Sequence, residues 1–360
     1  IRRARVCRTA TLTRHLAAHP VSTLKRPTFV QQHDPLRVDL RSELASGLRA
    51  TRAAIAPKHF YDALGSRLFD AITELPEYYP TRTEAAIMAA HGAEMAAAVG
   101  GGRTLVDLGA GNCAKAGRLF ATLKPRRYVA VDISVEFLRN ALDCLQREHQ
   151  AMDMVGVGLD FSAALALPPE AGDSPRTLFY PGSSIGNFTP DQALAFLQRA
   201  RAGSPGGNLL IGVDLVKDKA TLDAAYDDAL GVTAAFNLNV LANTNRLLGS
   251  DFNLRQWRHV AFFNEADSRI EMHLEARQAL TVRWPGQERR FAQGERIHTE
   301  NSYKYTIAAF DALLRRAGYA ETRCWTDEKR AFAVFAASFL IRPGGLSFVP
   351  PVRAELVEVQ

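Results

Sequence analysis

Apolar and polar positions change rhythm twice along this 360-residue chain. From Gly100 onward, apolar runs of strand length alternate with segments whose apolar residues recur at helical spacing, which is the pattern of a parallel α/β sheet. "RTLVDLGAGN" predicts a first strand running into a glycine turn, "CAKAGRLFATL" the helix behind it and "RYVAVDIS" a second strand. A helix over "VEFLRNALDCLQREH" and a third strand over "VGVGLDF" follow. "RTLFYPGSSIGNF" reads as a fourth strand, "PDQALAFLQRARAG" as a helix stopped by glycine, and "GGNLLIGVDLVKD" as a fifth strand.

The rhythm then breaks. Residues 219–305 pass through "DAAYDDALGVTAAFNLNVLANTNRLLG" and strand-like pieces such as "RIEMHLEARQALTVRW", before "IAAFDALLRRAGY" and "AFAVFAASFL" restore a helix and a last strand. That interruption is too long for a loop and predicts an inserted second domain. Residues 34–99 precede the first strand and are mostly helical, with "HFYDALGSRLFDAI" carrying an amphipathic stripe. They are expected to join the insertion as a lid over the carboxyl edge of the sheet, where open α/β sheets bind ligands. The expected organisation is therefore a substrate-binding domain from 34–80 plus 217–305 and a cofactor-binding domain from 81–216 plus 306–342. A loose tail, "RPGGLSFVPPVRAELVEVQ", closes the chain over 343–360.

Charge narrows the class. The net charge of +6 suggests nucleic acid until its distribution is read: seven basic residues and no acid lie in residues 1–33. What remains is 37 basic against 38 acidic residues, so the body from Asp34 carries −1 and no nucleic-acid face is expected. Residues 1–33 are expected to be a disordered or artefactual basic tail, with Val21 as a candidate start because the first methionine is Met88. The same composition also fits an organellar targeting segment. No apolar run reaches membrane-spanning length, and Cys7, Cys113, Cys144 and Cys324 have no ligand spacing. A reducing, cytoplasmic compartment, no metal and a monomer are the expectations.

"VDLGAGNCAK" places Asp107, Gly109 and Gly111 at the end of the first strand, and Asp132 closes the second. Glycines let a backbone approach a ligand, and a carboxylate at the second strand's end accepts hydrogen bonds from both ribose hydroxyls. Ala114 stands where a dinucleotide fingerprint has its third glycine. The D-x-G-x-G form favours S-adenosylmethionine, which has no phosphate, over a nicotinamide dinucleotide or a tight turn without chemistry. Asp160 and Phe161, ending the third strand, suit an adenine amine and ring, or equally a helix cap and a core aromatic.

Several strings together resemble the histidine-specific, S-adenosylmethionine-dependent methyltransferases that make hercynine in ergothioneine biosynthesis. They are "FYDALGSRLFDAITELPEYYPTRTEAAI", "DLGAGNCAKA", "YPGSSIGNF", "LVKDKATLDAAYDDALGVTAAFNLNVL", "IEMHLEA" and "HTENSYKYT", in order over about residues 36–340. The resemblance implies a class I methyltransferase sheet, Rossmann-like, with a second α+β domain that binds the amino acid. It implies cofactor contacts from Gly109, Gly111, Lys115, Asp132, Asp160 and Phe161, and substrate contacts from Tyr61, Tyr78, Asn187, Tyr226, Met272, Glu300 and Ser302. Tyr61 would position the amine for catalysis, Asn187 and Tyr226 would hold the α-carboxylate, and Glu300 and Ser302 the imidazole. Tyr79 is expected only to pack. Taken singly, each of these is an ordinary core, cap or strand residue; their joint, ordered occurrence carries the reading. Methylation of another aromatic amino acid such as tryptophan, and a non-catalytic cofactor-binding module, are the competing expectations.

Overall fold

A computed structural model of the chain describes residues 25–32, 40–162 and 164–338. The first elements are β1 (Thr28–Gln31), α1 (Leu40–Arg49), α2 (Ala63–Thr73) and α3 (Tyr79–Val99). The alternating core follows with β2 (Thr104–Leu108), α4 (Ala114–Leu123), β3 (Arg127–Asp132), α5 (Val135–Glu148), β4 (Asp153–Gly158), β5 (Arg176–Tyr180), α6 (Pro190–Ala202) and β6 (Asn208–Asp214). The insertion comprises α7 (Lys219–Tyr226), α8 (Val232–Leu248), β7 (Trp257–Asn264), β8 (Arg269–Ala276), β9 (Leu280–Trp284), β10 (Gln287–Phe291) and β11 (Arg296–Tyr303). Then come α9 (Ile307–Arg316), β12 (Glu321–Thr326) and β13 (Phe332–Ser338).

Among the described residues the main sheet runs β1-β4-β3-β2-β5-β6-β13-β12, parallel from β1 to β6, with β13 antiparallel to both β6 and β12. Strand order reverses between β2 and β5, which opens a crevice at their carboxyl ends. β2 and β6 are buried along their whole length, as strands covered on both faces must be. Their residues alternate between two cores: Leu209, Ile211 and Val213 meet α6 and α9, while Leu210 meets α3, α4 and α5. Thr189 and Gln192 close α6 with a reciprocal capping box behind Pro190, and Thr306 caps α9.

The sheet extends further than the sequence pattern predicts at both edges. Thr28–Gln31, expected within the basic tail, pair in parallel with β4; "TFV" is a β-prone run, and basic residues before it masked that signal. Residues 1–24 and 343–360 lie outside the described residues. β12 escapes prediction because it is an edge strand whose faces are mostly half-exposed, so it lacks a clean apolar alternation.

A third apolar cluster draws on Leu44 to Tyr79 and on Leu222 to Ile297, combining α1, α2, α7 and α8 with the antiparallel sheet β7-β8-β11. The insertion leaves and returns at one point. Leu215 and Tyr305 form a parallel bridge, and Tyr305 N–H donates to the Asp214 carbonyl at 3.2 Å. Residues 53–55 lie beside β11, with His298 N–H donating to Ala53 and Ile55 N–H donating to His298.

Candidate active site

The glycine turn between β2 and α4 holds φ of +73° at Gly109 and +53° at Gly111, backbone that a side chain would strain. Asp132 folds over it: one carboxylate oxygen accepts from Gly111 N–H at 2.9 Å, the other from Ser134 N–H at 2.8 Å. Burial pushes the Asp132 carboxyl up, against those two hydrogen bonds. Phe161 lies over the turn, because a methyl on Gly109 would meet its Cζ at 3.7 Å. Asp160 accepts from Ser162 and stands 3.5 Å from the ammonium of Lys58, which also pairs with Glu43 at 2.7 Å. Asp107, fully buried beneath the turn, takes the Tyr128 hydroxyl at 2.8 Å on one oxygen and has no partner among the described residues on the other. Burial raises its carboxyl to about 7.

Lys115, expected at the cofactor, is held by Glu84 of α3 at 2.8 Å. The other Glu84 oxygen accepts Gly182 N–H at 2.8 Å. This buried carboxylate fits only because β6 carries Gly212, where a Cβ would stand 2.0 Å from Glu84 Oε1. Glu84 thus links α3, α4 and the loop after β5. In the sequence alone it reads as no more than part of a helix start.

All seven expected substrate residues line one cavity, which also takes in Gly182 and Ser183 of the loop after β5. Tyr61 follows a 3-10 turn at Pro57–Phe60, Tyr78 precedes α3, Asn187 ends a 3-10 turn after β5 and Tyr226 ends α7. Phe69 and Phe236 wall the cavity and meet Tyr61 edge-on with ring centroids 5.8 Å away. Tyr78 meets Tyr226 edge-on at 6.2 Å. Among the described residues, neither the Tyr61 nor the Tyr78 hydroxyl has a hydrogen-bond partner, and burial raises both well above the ordinary tyrosine range.

Glu300 and Ser302 reach the cavity through a β-bulge. His298 pairs with His273 and Glu300 with Met272, leaving Thr299 extra. One extra residue switches the parity of the strand, so Ile297 before it and Glu300 and Ser302 after it all face inward. Burial pushes the Glu300 carboxyl to about 7, and Lys304 only partly offsets this. No described residue donates a hydrogen bond to it.

Tyr79 does more than pack. Its hydroxyl donates to Asp214 at 2.8 Å, and Asp214 is also paired with Lys217 at 2.7 Å and Lys304 at 2.8 Å. Lys304 was legible but missed: residues 300, 302 and 304 share one face of an extended strand. The two halves of the site touch where Ser134 Oγ donates to the Tyr61 carbonyl at 2.6 Å.

An alternating sheet that reverses order beside a D-x-G-x-G turn, with a carboxylate closing its second strand, defines a class I S-adenosylmethionine-dependent methyltransferase. Residues 40–339 match the family described as histidine-specific, S-adenosylmethionine-dependent methyltransferases, and the chain belongs to that family. It is 43% identical over 305 residues to the histidine N-alpha-methyltransferase of Mycolicibacterium smegmatis, covering 83% of this chain and 94% of that protein. Identity to the histidine N-alpha-methyltransferase of Mycobacterium tuberculosis is 44% over 308 residues, with the same coverage. Ergothioneine biosynthesis protein 1 of Neurospora crassa is 30% identical over 307 residues, which are 81% of this chain and 34% of that longer protein.

Proposed function

We propose that the protein transfers three methyl groups in succession from S-adenosylmethionine to the α-amine of L-histidine, giving hercynine, the first step of ergothioneine biosynthesis. One observation carries the reading: Glu300, a buried carboxylate with no donor among the described residues, stands in an aromatic cavity whose wall residue Tyr61 is bonded through its carbonyl to Ser134, two residues after Asp132. An imidazole N–H is the partner it lacks, and a buried acceptor left unpaired rejects side chains without a matching donor.

S-adenosylmethionine supplies an electrophilic methyl carbon on a sulfonium. The open backbone at Gly111, where an added Cβ would meet no atom within 4 Å, and the Asp132 carboxylate fit its nucleoside. Asp132 would hold the ribose hydroxyls, with Gly109 and Gly111 against the sugar and Asp160 and Phe161 at the adenine. Lys115, tied to Glu84, would keep the methionine end of that site in shape.

On the amino-acid side, Asn187 and Tyr226 would hold the α-carboxylate, Glu300 and Ser302 the imidazole, with Met272 and Tyr78 shaping the pocket. The nucleophile is the neutral amine, so the residues' work is to hold its lone pair toward the methyl at roughly 3–3.5 Å. A phenol suits that task, since it accepts a hydrogen bond without placing net charge beside a sulfonium. Tyr61 would therefore position the amine or a water that takes its proton.

The reading includes a division of labour in which residues 34–80 with 217–305 bind the amino acid and 81–216 with 306–342 the cofactor. The separate apolar cluster of the insertion supports it. It also includes a monomer working in the cytoplasm on small molecules. Free Cys113, Cys144 and Cys324 support a reducing compartment, and no helix of the described residues is long and apolar enough to cross a membrane.

Mass spectrometry of the protein incubated with S-adenosylmethionine and an equimolar mixture of the twenty amino acids tests this. Three methyl groups on histidine alone are expected. Methylation of tryptophan instead would overturn the pocket assignment, and no methylation would leave a cofactor-binding module.

A further inference from the structure

Lys304 has no exposed side-chain surface, yet it bonds two residues that line the substrate cavity, Tyr226 and Ser302. Its ammonium has three protons and three acceptors: Asp214 Oδ2 at 2.8 Å, Ser302 Oγ at 2.9 Å and Tyr226 Oη at 3.0 Å. Tyr226 and Ser302 are themselves hydrogen-bonded at 2.8 Å.

The hydrogens can be counted. Both hydroxyl oxygens accept from Lys304, so neither needs to donate to it. Two hydroxyl protons remain, and one is used in the Tyr226–Ser302 bond whichever way it runs. A single O–H is left over, and the cavity that both side chains line is where it can point. A buried cation stands behind that donor.

Charge leads to the same conclusion. Asp214 carries one negative charge against two ammoniums, Lys217 and Lys304, and these groups hold its carboxyl below the ordinary range although burial alone would raise it. Glu84 is already matched by Lys115. Glu300, whose carboxyl burial lifts to about 7, and Asp327 are the other acidic groups acting on Lys304 and Lys217, so Asp214 is, among the described residues, the one fully buried carboxylate bonded directly to both ammoniums. Lys304 shares Asp214 with Lys217, and an anionic ligand group at the free O–H would add to its counter-charge.

We infer that Lys304 is a positioning residue which, through the hydroxyl of Tyr226 that it holds together with Ser302, makes the cavity select substrates bearing an α-carboxylate. This rests on the proposed reading that an amino acid is the methyl acceptor. Asn187 and Tyr226 alone would give that carboxylate neutral partners; Lys304 adds the charge without reaching the ligand itself.

The test compares L-histidine with L-histidinamide, which differs in having a neutral amide where the carboxylate stands. Wild-type protein is expected to favour histidine in kcat/KM by at least tenfold. Lys304→Met should raise KM for histidine by roughly tenfold to a hundredfold, the range for losing a charge-assisted hydrogen bond. It should shrink the histidine-to-histidinamide ratio by a similar factor and leave S-adenosylmethionine affinity by calorimetry unchanged. Asp214 keeps Lys217 and Tyr79 in that variant, so its carboxylate is not orphaned. Equal loss for both substrates, or no loss, would mean that Lys304 only braces the fold and would overturn the inference. Should Lys304→Met fail to fold, the wild-type ratio decides alone, and a ratio near one is equally fatal. No methylation of histidine by the wild type would instead count against the proposed function, and the acid and amide of whichever amino acid is accepted would then form the test pair.

Discussion

Glu300 stands directly across from Met272 on the paired strands β11 and β8, one residue past a bulge that leaves Thr299 without a cross-strand partner. Thr299 instead turns its hydroxyl onto the Met272 carbonyl at 3.0 Å, which pins the bulge in place. The pair gives the cavity a carboxylate and a compliant thioether side by side. Glu300→Ala removes the acceptor and leaves space. It should raise KM for histidine roughly tenfold to a hundredfold, from about 1.5–3 kcal/mol of lost charge-assisted bonding, and admit larger aromatic amino acids as competitors. Steady-state kinetics with histidine and tryptophan in competition measure both effects, and an unchanged preference would remove Glu300 from the recognition of imidazole.

The same carboxylate predicts how stability depends on pH. Its ordinary value is 4.5 and burial raises it to about 7 in the folded protein. Between those values the unfolded chain has lost the proton and the folded chain has kept it, so rising pH favours unfolding. The contribution is fully present below about pH 4.5 and lost as pH climbs through about 7, amounting to about 3 kcal/mol by proton linkage. Glu300→Gln cannot lose a proton there. Its melting temperature relative to wild type should therefore rise between pH 5 and 8 in the ligand-free protein, whereas a difference independent of pH would show that Glu300 is ionised throughout.

Tyr61 faces the cavity with an unpartnered hydroxyl, while its carbonyl is fixed by Ser134 at 2.6 Å. The ring position is thus set from the cofactor side, and Tyr61→Phe should keep it. The expected result is a fall in kcat of roughly tenfold to a hundredfold, in the range of positioned proton-transfer groups, with histidine affinity changed far less. Single-turnover kinetics separate the two; full turnover in the variant would leave the amine to be positioned by other groups.

Much of this site can be read in the sequence because its residues obey local rules. The glycine turn and Asp132 follow from strand, turn and helix signals at fixed spacing, and Glu300 and Ser302 from strand alternation. The inserted unit shows as a break in that rhythm. Less visible are groups whose role is created by contact across long sequence separations. Glu84 and Lys115 lie 31 residues apart, and Tyr79 and Asp214 lie 135 apart. Neither pairing has a spacing that periodicity could reveal. The bulge at Thr299 is invisible for a different reason: alternation predicts which residues share a face, not where one extra residue reverses it. β1 was hidden by the charge of its surroundings, which describes solvation rather than strand pairing.

Glu84 offers the sharpest test of that long-range layer. It is buried, it neutralises Lys115, and it accepts the Gly182 N–H at the rim of the substrate cavity. Glu84→Ala would remove both interactions at once and leave a void against Gly212, where β6 has no side chain to fill it. A broken, mostly buried ion pair with an orphaned backbone donor costs about 3–5 kcal/mol, so denaturant unfolding should show a loss of that size. Glu84→Gln keeps an acceptor for Gly182 and fills the space but abandons the charge of Lys115, and a smaller loss is expected. Function separates the roles further: if Glu84 only props up the sheet, the folded fraction of Glu84→Gln will bind S-adenosylmethionine and histidine as wild type does. If it sets Lys115 and the loop after β5 for the two ligands, both affinities will fall together while the variant stays folded. The position of Gly182 on the cavity wall, bonded to the carboxylate that holds Lys115, makes the joint fall the expected result.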